Sequence, residues 1–255
     1  KFENVDFSFS QDADANKVLK GVSFSIGRGK TLGIVGPPGS GKSTIAHLIP
    51  RFYDISSGRI TIDNQDIREV SLESLRQFVS VVQQDSFLFT ASIENNIAYG
   101  DPWSDGDRIT TANTSAQLHD YVARLPLGYE TLIGERGVSL SGGQRQRLSI
   151  ARGIMLDPGV IVFDDSTAAI DSGTEQKIRM ALKEDCEKRV TVIISHRLGS
   201  LMHSDEILFV DGGNVIERGT HDELLKLKGR YHDLFELQAK PGLNHGVSPK
   251  ELGVN

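Results

Sequence analysis

Apolar and polar residues alternate along Val5-Asp6-Phe7-Ser8-Phe9 and again along residues 18–26, the period of half-buried strands. The polar stretch 11–16 reads as the hairpin loop between them, and Gly27-Arg28-Gly29 closes the second strand. Thr31-Leu32-Gly33-Ile34-Val35 is a short apolar run with a β-branched end, the pattern of a buried strand. Residues 59–62 and 78–82 read as further strands. Val160-Ile161-Val162-Phe163-Asp164 and residues 190–195 are near-continuous apolar runs, as in parallel strands covered on both faces. Residues 206–210 and 214–217 form a hairpin around Asp211-Gly212-Gly213. Helical spacing marks residues 93–97, 109–125, 145–155, 174–183, 222–227 and 231–238.

These elements predict an α/β fold. A mostly parallel sheet carries an antiparallel β subdomain at the front of the chain. Residues 1–84 and 138–238 form the core, and residues 85–137 form a mostly helical subdomain. Residues 239–255, rich in Gly, Pro and Asn, read as a disordered tail.

The stretch Gly36-Pro37-Pro38-Gly39-Ser40-Gly41-Lys42-Ser43-Thr44 joins a strand to a helix with the spacing G-x-x-x-x-G-K-S, the pattern of a phosphate-binding loop. Its glycines permit a tight turn, and amides at the helix start can face an anion. Pro37 and Pro38 have no N–H, so the donors begin at Gly39. Lys42 would reach the β- and γ-phosphates, and the Ser43 hydroxyl would bind Mg²⁺. Pro50 should end or kink the helix that begins here. Asp164, at the end of an apolar strand, is the second expected Mg²⁺ residue.

Leu140-Ser141-Gly142-Gly143-Gln144 leads into a helix and supports two readings. Its hydroxyl and helix-start amides make an anion site, or Ser141 and Gln144 simply cap the helix.

Composition narrows the function. A net charge of −6 over 255 residues argues against a general nucleic-acid binder. One cysteine, Cys186, leaves no internal disulfide and fits a reducing compartment. No apolar run approaches the ~18 residues of a membrane span, and no secretory signal is visible. Because the chain opens at Lys1 directly on a strand, it reads as a segment of a longer polypeptide.

The order of phosphate loop, glutamine after a strand, Leu-Ser-Gly-Gly-Gln, apolar strand with Asp-Asp, and strand ending in histidine resembles the nucleotide-binding domain of ATP-binding cassette transporters. The resemblance covers the chain to about Gln238. It implies a head-to-tail dimer. Each ATP would lie between one domain's phosphate loop (Gly36, Gly39, Ser40, Gly41, Lys42, Ser43, Thr44) and the other's Ser141, Gly142, Gly143 and Gln144. It further implies Phe9 as the aromatic against adenine, where tyrosine is usual; a core strand position is the other reading of Phe9. Gln84 would sense Mg²⁺ and the attacking water, His196 would contact the γ-phosphate, and Asp171 would cross the dimer interface.

Two departures stand out. Asp165 occupies the position where the family usually has glutamate as general base, which sets its carboxylate back by about 1.5 Å. The next loop reads Ser166-Thr167-Ala168-Ala169-Ile170-Asp171, where the family usually has Ala-Thr-Ser-Ala-Leu-Asp. Both resemble the degenerate half of a heterodimeric exporter. Residues 131–137, Thr-Leu-Ile-Gly-Glu-Arg-Gly, are similar to the exporter segment that touches the intracellular loops of the membrane domains, although Leu132 replaces the usual glutamate.

The resemblance therefore implies an ATPase motor domain of an exporter, with ATP and Mg²⁺ as ligands. A second nucleotide-binding domain and transmembrane domains would be its partners, at the cytoplasmic face of a membrane. Two other readings stay open. One is a soluble cassette ATPase of chromosome maintenance or translation, for which the segment 44–140 offers neither heptads nor basic runs. The other is a non-hydrolysing ATP-binding regulatory subunit.

Overall fold

A computed structural model of the chain describes residues 1–10, 17–84, 87–134, 139–184 and 189–239. The expected hairpin loop 11–16, Asp85, the exporter-like residues 135–137, Val138, Cys186 and the tail beyond Ala239 lie outside the described residues.

The protein is α/β. Its central sheet has the order β10-β9-β3-β8-β7-β6. Here β3 is Thr31–Val35, β6 Val79–Val82, β7 Val160–Asp164, β8 Val190–Ile194, β9 Glu206–Asp211 and β10 Asn214–Gly219. Five strands run parallel, and β10 returns antiparallel beside β9. A smaller antiparallel sheet has the order β2-β1-β4-β5, with β1 Phe2–Phe7, β2 Leu19–Phe24, β4 Ser57–Ile62 and β5 Gln65–Asp66.

The near-continuous apolar runs are explained by two cores, one on each face of the central sheet. Successive side chains of a strand point to opposite faces. Thus Val160 and Val162 pack with Leu32, Ile34, Val192 and Ile194 against the small sheet and against α1 (Lys42–Leu48) and α2 (Leu72–Phe78). Ile161 and Phe163 pack with Ile193, Ile207 and Phe209 against the helices of the other face. Those helices are α3 (Ile93–Ile97), α4 (Gly106–Ser115), α5 (His119–Val122), α6 (Gly142–Met155), α7 (Ser172–Glu184), α8 (His221–Leu227) and α9 (Arg230–Ala239). Among them α3 and α4 lie against α6.

Several details differ from the sequence pattern. Strict alternation along β1 and β2 is broken at Asn4 (φ 48°) and Gly21 (φ 62°), where register shifts keep Phe2, Val5 and Phe7 on the buried face opposite Phe24, Val22 and Leu19. The single helical stretch expected over residues 109–125 is two helices, because Gln117 takes a left-handed conformation (φ 58°) between α4 and α5. Phe78 ends α2 and is not part of the strand β6. This helix escapes periodicity because Leu75 is its one buried residue, and it starts on a Ser71 cap that accepts the Ser74 N–H at 3.2 Å. Ala239 belongs to α9, not to the tail. As expected, α1 stops ahead of Pro50.

Candidate functional site

Ligands of open parallel sheets bind beyond the carboxyl ends of the strands. Here the ends of β3, β8 and β7 lie side by side, in that order. They carry the phosphate loop, His196, and Asp164 with Asp165. In this way the sheet gathers residues more than a hundred positions apart.

The loop from Gly36 wraps into α1 with Gly41 as its left-handed cap. Gly36 admits no side chain, since a Cβ there would stand 1.9 Å from the Val210 carbonyl oxygen. Lys42 is buried, and its Nζ donates to the carbonyls of Gly36 and Pro37, both at 2.9 Å. Burial pushes the Lys42 ammonium below its ordinary range, against the pull of Asp165 and Asp164. Ser40 Oγ is buried with no hydrogen-bond partner among the described residues. Gly39 and Ser43 face solvent, and Thr44 is buried in α1.

The Ser43 hydroxyl donates to Asp164 Oδ1 at 3.1 Å across 121 residues of sequence. Burial raises the Asp164 carboxyl above its ordinary value, and the Ser43 hydrogen bond pulls the other way. A desolvated carboxylate beside a hydroxyl is a donor set that suits Mg²⁺, which takes one or two protein oxygens and completes its shell with phosphate oxygens and water. Gln84 is exposed two residues beyond β6, whose Val82 pairs with Phe163 of β7. It therefore sits on the same rim as Asp164. Among the described residues no group of three or more His, Cys, Asp or Glu forms a metal cluster.

Asp165 adopts a left-handed backbone (φ 46°) just past β7. Its Oδ1 accepts the His196 main-chain N–H at 3.0 Å, and its Oδ2 lies 3.2 Å from His196 Nε2. Arg197, which sequence reasoning passed over, donates from Nη1 to the Ile170 carbonyl at 3.1 Å and so ties the loop after β8 to the loop after β7.

Of the two readings of Leu140–Gln144, the helix cap is the one seen in the geometry. Ser141 caps α6 in a reciprocal box: its Oγ accepts the Gln144 N–H at 3.3 Å, and Gln144 Oε1 accepts the Ser141 N–H at 2.7 Å. The capping leaves the hydroxyl proton free to donate outward. Gly142 and Gly143 lie against Ala169, and a Cβ on Gly143 would stand 2.9 Å from the Ala169 carbonyl oxygen. Gln146 Oε1 accepts the Ala169 N–H at 2.8 Å. The helix start is thus keyed onto the loop that ends at Asp171. Asp171 is exposed, and its Oδ1 accepts the Thr174 N–H at 2.9 Å in the first turn of α7. That backbone hydrogen bond holds its carboxyl below the usual range.

Phe9 is not a core strand residue. Strand β1 ends at Phe7, and Phe9 is 62% exposed. Its ring stands nearly perpendicular to those of Phe7 (centroids 4.8 Å) and Tyr53 (5.3 Å). Tyr53 also approaches His47 of α1 at 6.4 Å, so these aromatics bridge the small sheet and the phosphate-loop helix. The motif reading missed Tyr53. Its only sequence signal is an aromatic pair, Phe52-Tyr53, in a loop just after the helix-ending Pro50.

A phosphate loop, a strand-end carboxylate against its serine and a second glycine-rich helix start on an α/β sheet define a phosphate-loop nucleotide-binding domain. The comparisons with known proteins name its family. Residues 19–168 match the ABC transporter family, and the chain belongs to it. It is 45% identical over 237 residues to the uncharacterized ABC transporter ATP-binding protein YknU of Bacillus subtilis, covering 93% of this chain and 40% of the relative. It is equally 45% identical over 238 residues to human ATP-binding cassette sub-family B member 6, covering 93% of this chain and 28% of the relative. Among solved structures, a bacterial Atm1-family ABC exporter with ATP bound superposes with a TM-score of 0.89 at 43% identity, over 94% of this chain and 42% of the exporter chain. The chain therefore spans well under half the length of these relatives. Among the described residues no helix is long and apolar enough to cross a membrane.

Proposed function

We propose that this chain is the ATP-binding and ATP-hydrolysing domain of an exporter and drives a substrate across a membrane through transmembrane domains from the cytoplasmic side. The observation that carries this reading is the Ser43–Asp164 hydrogen bond at 3.1 Å at the mouth of the phosphate loop. It brings together two groups whose shared use is a metal-bound phosphate. The relatives' names, which include an ATP-dependent lipid A-core flippase of Chromohalobacter salexigens at 44% identity, support transport as the output.

The roles follow from the residues. Lys42 exchanges the carbonyls of Gly36 and Pro37 for the β- and γ-phosphate oxygens. Gly39, Ser40, Gly41 and Thr44 line the same cradle, and the unpartnered Ser40 hydroxyl gains an acceptor there. Phe9, steadied by Tyr53, stacks on adenine. Ser43, Asp164 and Gln84 would hold Mg²⁺, which supplies positive charge against the phosphate oxygens. A second nucleotide-binding domain packs head-to-tail, so that Ser141, Gly142, Gly143 and Gln144 donate to the partner's nucleotide and Asp171 lies at the shared interface. Residues 85–137 act as the helical subdomain that links this interface to the membrane domains.

Asp165 makes this chain's own site slow. Its carboxylate is short and already engaged by His196, so it holds water poorly in line with the γ-phosphorus. The same observation favours a second reading, a non-hydrolysing ATP-binding subunit. Measured ATP binding and turnover of the intact protein decide between them. Submicromolar to micromolar binding with slow turnover supports the first reading, binding with no turnover the second, and no binding removes both.

A further inference from the structure

The loop after β8 carries His196, and its main-chain groups are held from several directions. The Ser195 N–H donates to the Ile34 carbonyl at 3.3 Å, and the Arg197 N–H donates to Ser195 Oγ at 3.0 Å. On one side the His196 N–H donates to Asp165. On the other side the bonds come from far along the chain. Gln238, near the end of α9, donates from Nε2 to the His196 carbonyl at 2.7 Å and accepts the Leu198 N–H on Oε1 at 3.0 Å. A primary amide is the side chain that presents a donor and an acceptor side by side, which is what a carbonyl and an amide two residues apart require.

Helix α9 is itself firmly seated. Tyr231 is fully buried, and its hydroxyl lies 2.8 Å from His221 Nδ1. The His221 ring also meets Phe235 at 5.3 Å, and Glu217 accepts the Tyr231 N–H at 3.0 Å. Gln238 itself is exposed near the end of this helix, whose first turns are the packed part.

We propose that Gln238 is a positioning residue for His196, and that through it helix α9 sets the geometry of the histidine loop at the nucleotide site. The inference rests on the ATPase reading above. Asp165 holds the N–H side of His196 and Gln238 the carbonyl side, so together they fix the two peptide groups that flank the Cα from which the imidazole projects. A reacting group displaced by about 1 Å can lose ~10²-fold in rate, so a loosened His196 should slow turnover without weakening ATP binding.

The test uses the intact protein with Gln238→Ala and Gln238→Glu. Glutamate has the same shape and still accepts the Leu198 N–H, but its carboxylate cannot donate to the His196 carbonyl. In Gln238→Ala, amide hydrogen exchange over residues 195–201 should quicken about fivefold, the loss of one or two modest hydrogen bonds. Both variants should lower kcat about tenfold with KM for ATP changed less than twofold. In a His196→Ala background neither should lower kcat further, since the residue they position is gone. Unchanged exchange, wild-type kcat in both variants, or an equal further loss in the His196→Ala background would overturn the proposal. Wild-type protein that does not turn over ATP would overturn the ATPase reading and this inference with it. Normal wild-type turnover with unaffected variants removes the inference alone.

Discussion

Asp165 and His196 grip each other at the ends of neighbouring strands: Oδ1 takes the histidine's main-chain N–H at 3.0 Å, and Oδ2 lies 3.2 Å from its Nε2. One carboxylate oxygen of the candidate general base thus already accepts a hydrogen bond, and the other lies beside the imidazole. The short Asp165 side chain has a structural use, bracing the loop after β8.

Asp165→Glu adds the missing methylene and should carry the carboxylate about 1.5 Å further toward the γ-phosphate. Turnover of the assembled dimer should rise ~10-fold or more if the set-back limits the rate. The left-handed backbone here (φ 46°) suits aspartate better than glutamate, so the variant should also carry a small strain cost, read as a lower unfolding midpoint. A wild-type dimer that turns over as fast as the variant would mark Asp165 as an ordinary base and end the degenerate-site reading.

Lys42→Ala should abolish or weaken Mg-ATP binding by ~10²-fold or more in calorimetric titration, because on the proposed function it removes the charge nearest the β- and γ-phosphates. The fold should survive, since the buried ammonium is desolvated and its removal relieves that penalty. Unchanged affinity would reject the assignment of the phosphate loop.

Ser141→Ala should act in two separable ways. Losing the cap of α6 should destabilise the chain by about 1 kcal/mol, read as a lower unfolding midpoint. Losing the hydroxyl should lower turnover in the assembled transporter while this chain's own ATP binding stays nearly intact. If binding by the isolated chain fell instead, Ser141 would serve its own nucleotide and not the partner's.

Tyr231→Phe should change how stability depends on alkaline pH. Burial pushes the Tyr231 phenol up to about 12 from 10.0. Its contribution is complete below pH 10.0 and is lost as pH rises through about 12, because the unfolded chain ionises first. The variant lacks the hydroxyl bonded to His221, so it should be less stable by about 1 kcal/mol near neutral pH. It should then lose less between pH 10 and 12, so that the two curves converge in a denaturant titration series. Parallel curves across that range would contradict the buried, hydrogen-bonded phenol.

Whatever depends on local backbone rules and short-range spacing is legible in the residues themselves. The loop of residues 36–44 is legible because glycine, lysine and serine at that spacing have few other uses between a strand and a helix. The apolar runs of β7 and β8 announce strands buried on both faces. The capping box of Ser141 and Gln144 spans three residues and can be read directly. Strand order and the close approach of distant segments come from the folded chain alone. It set β8 between β3 and β7, and so put His196 between the phosphate loop and Asp164. It turned Asp165 onto His196, lifted Phe9 out of the strand onto Tyr53, and brought Gln238 back across some forty residues to the histidine loop. No periodicity encodes such pairs, because each depends on where a packed helix or strand delivers one side chain, and packing is a property of the whole core.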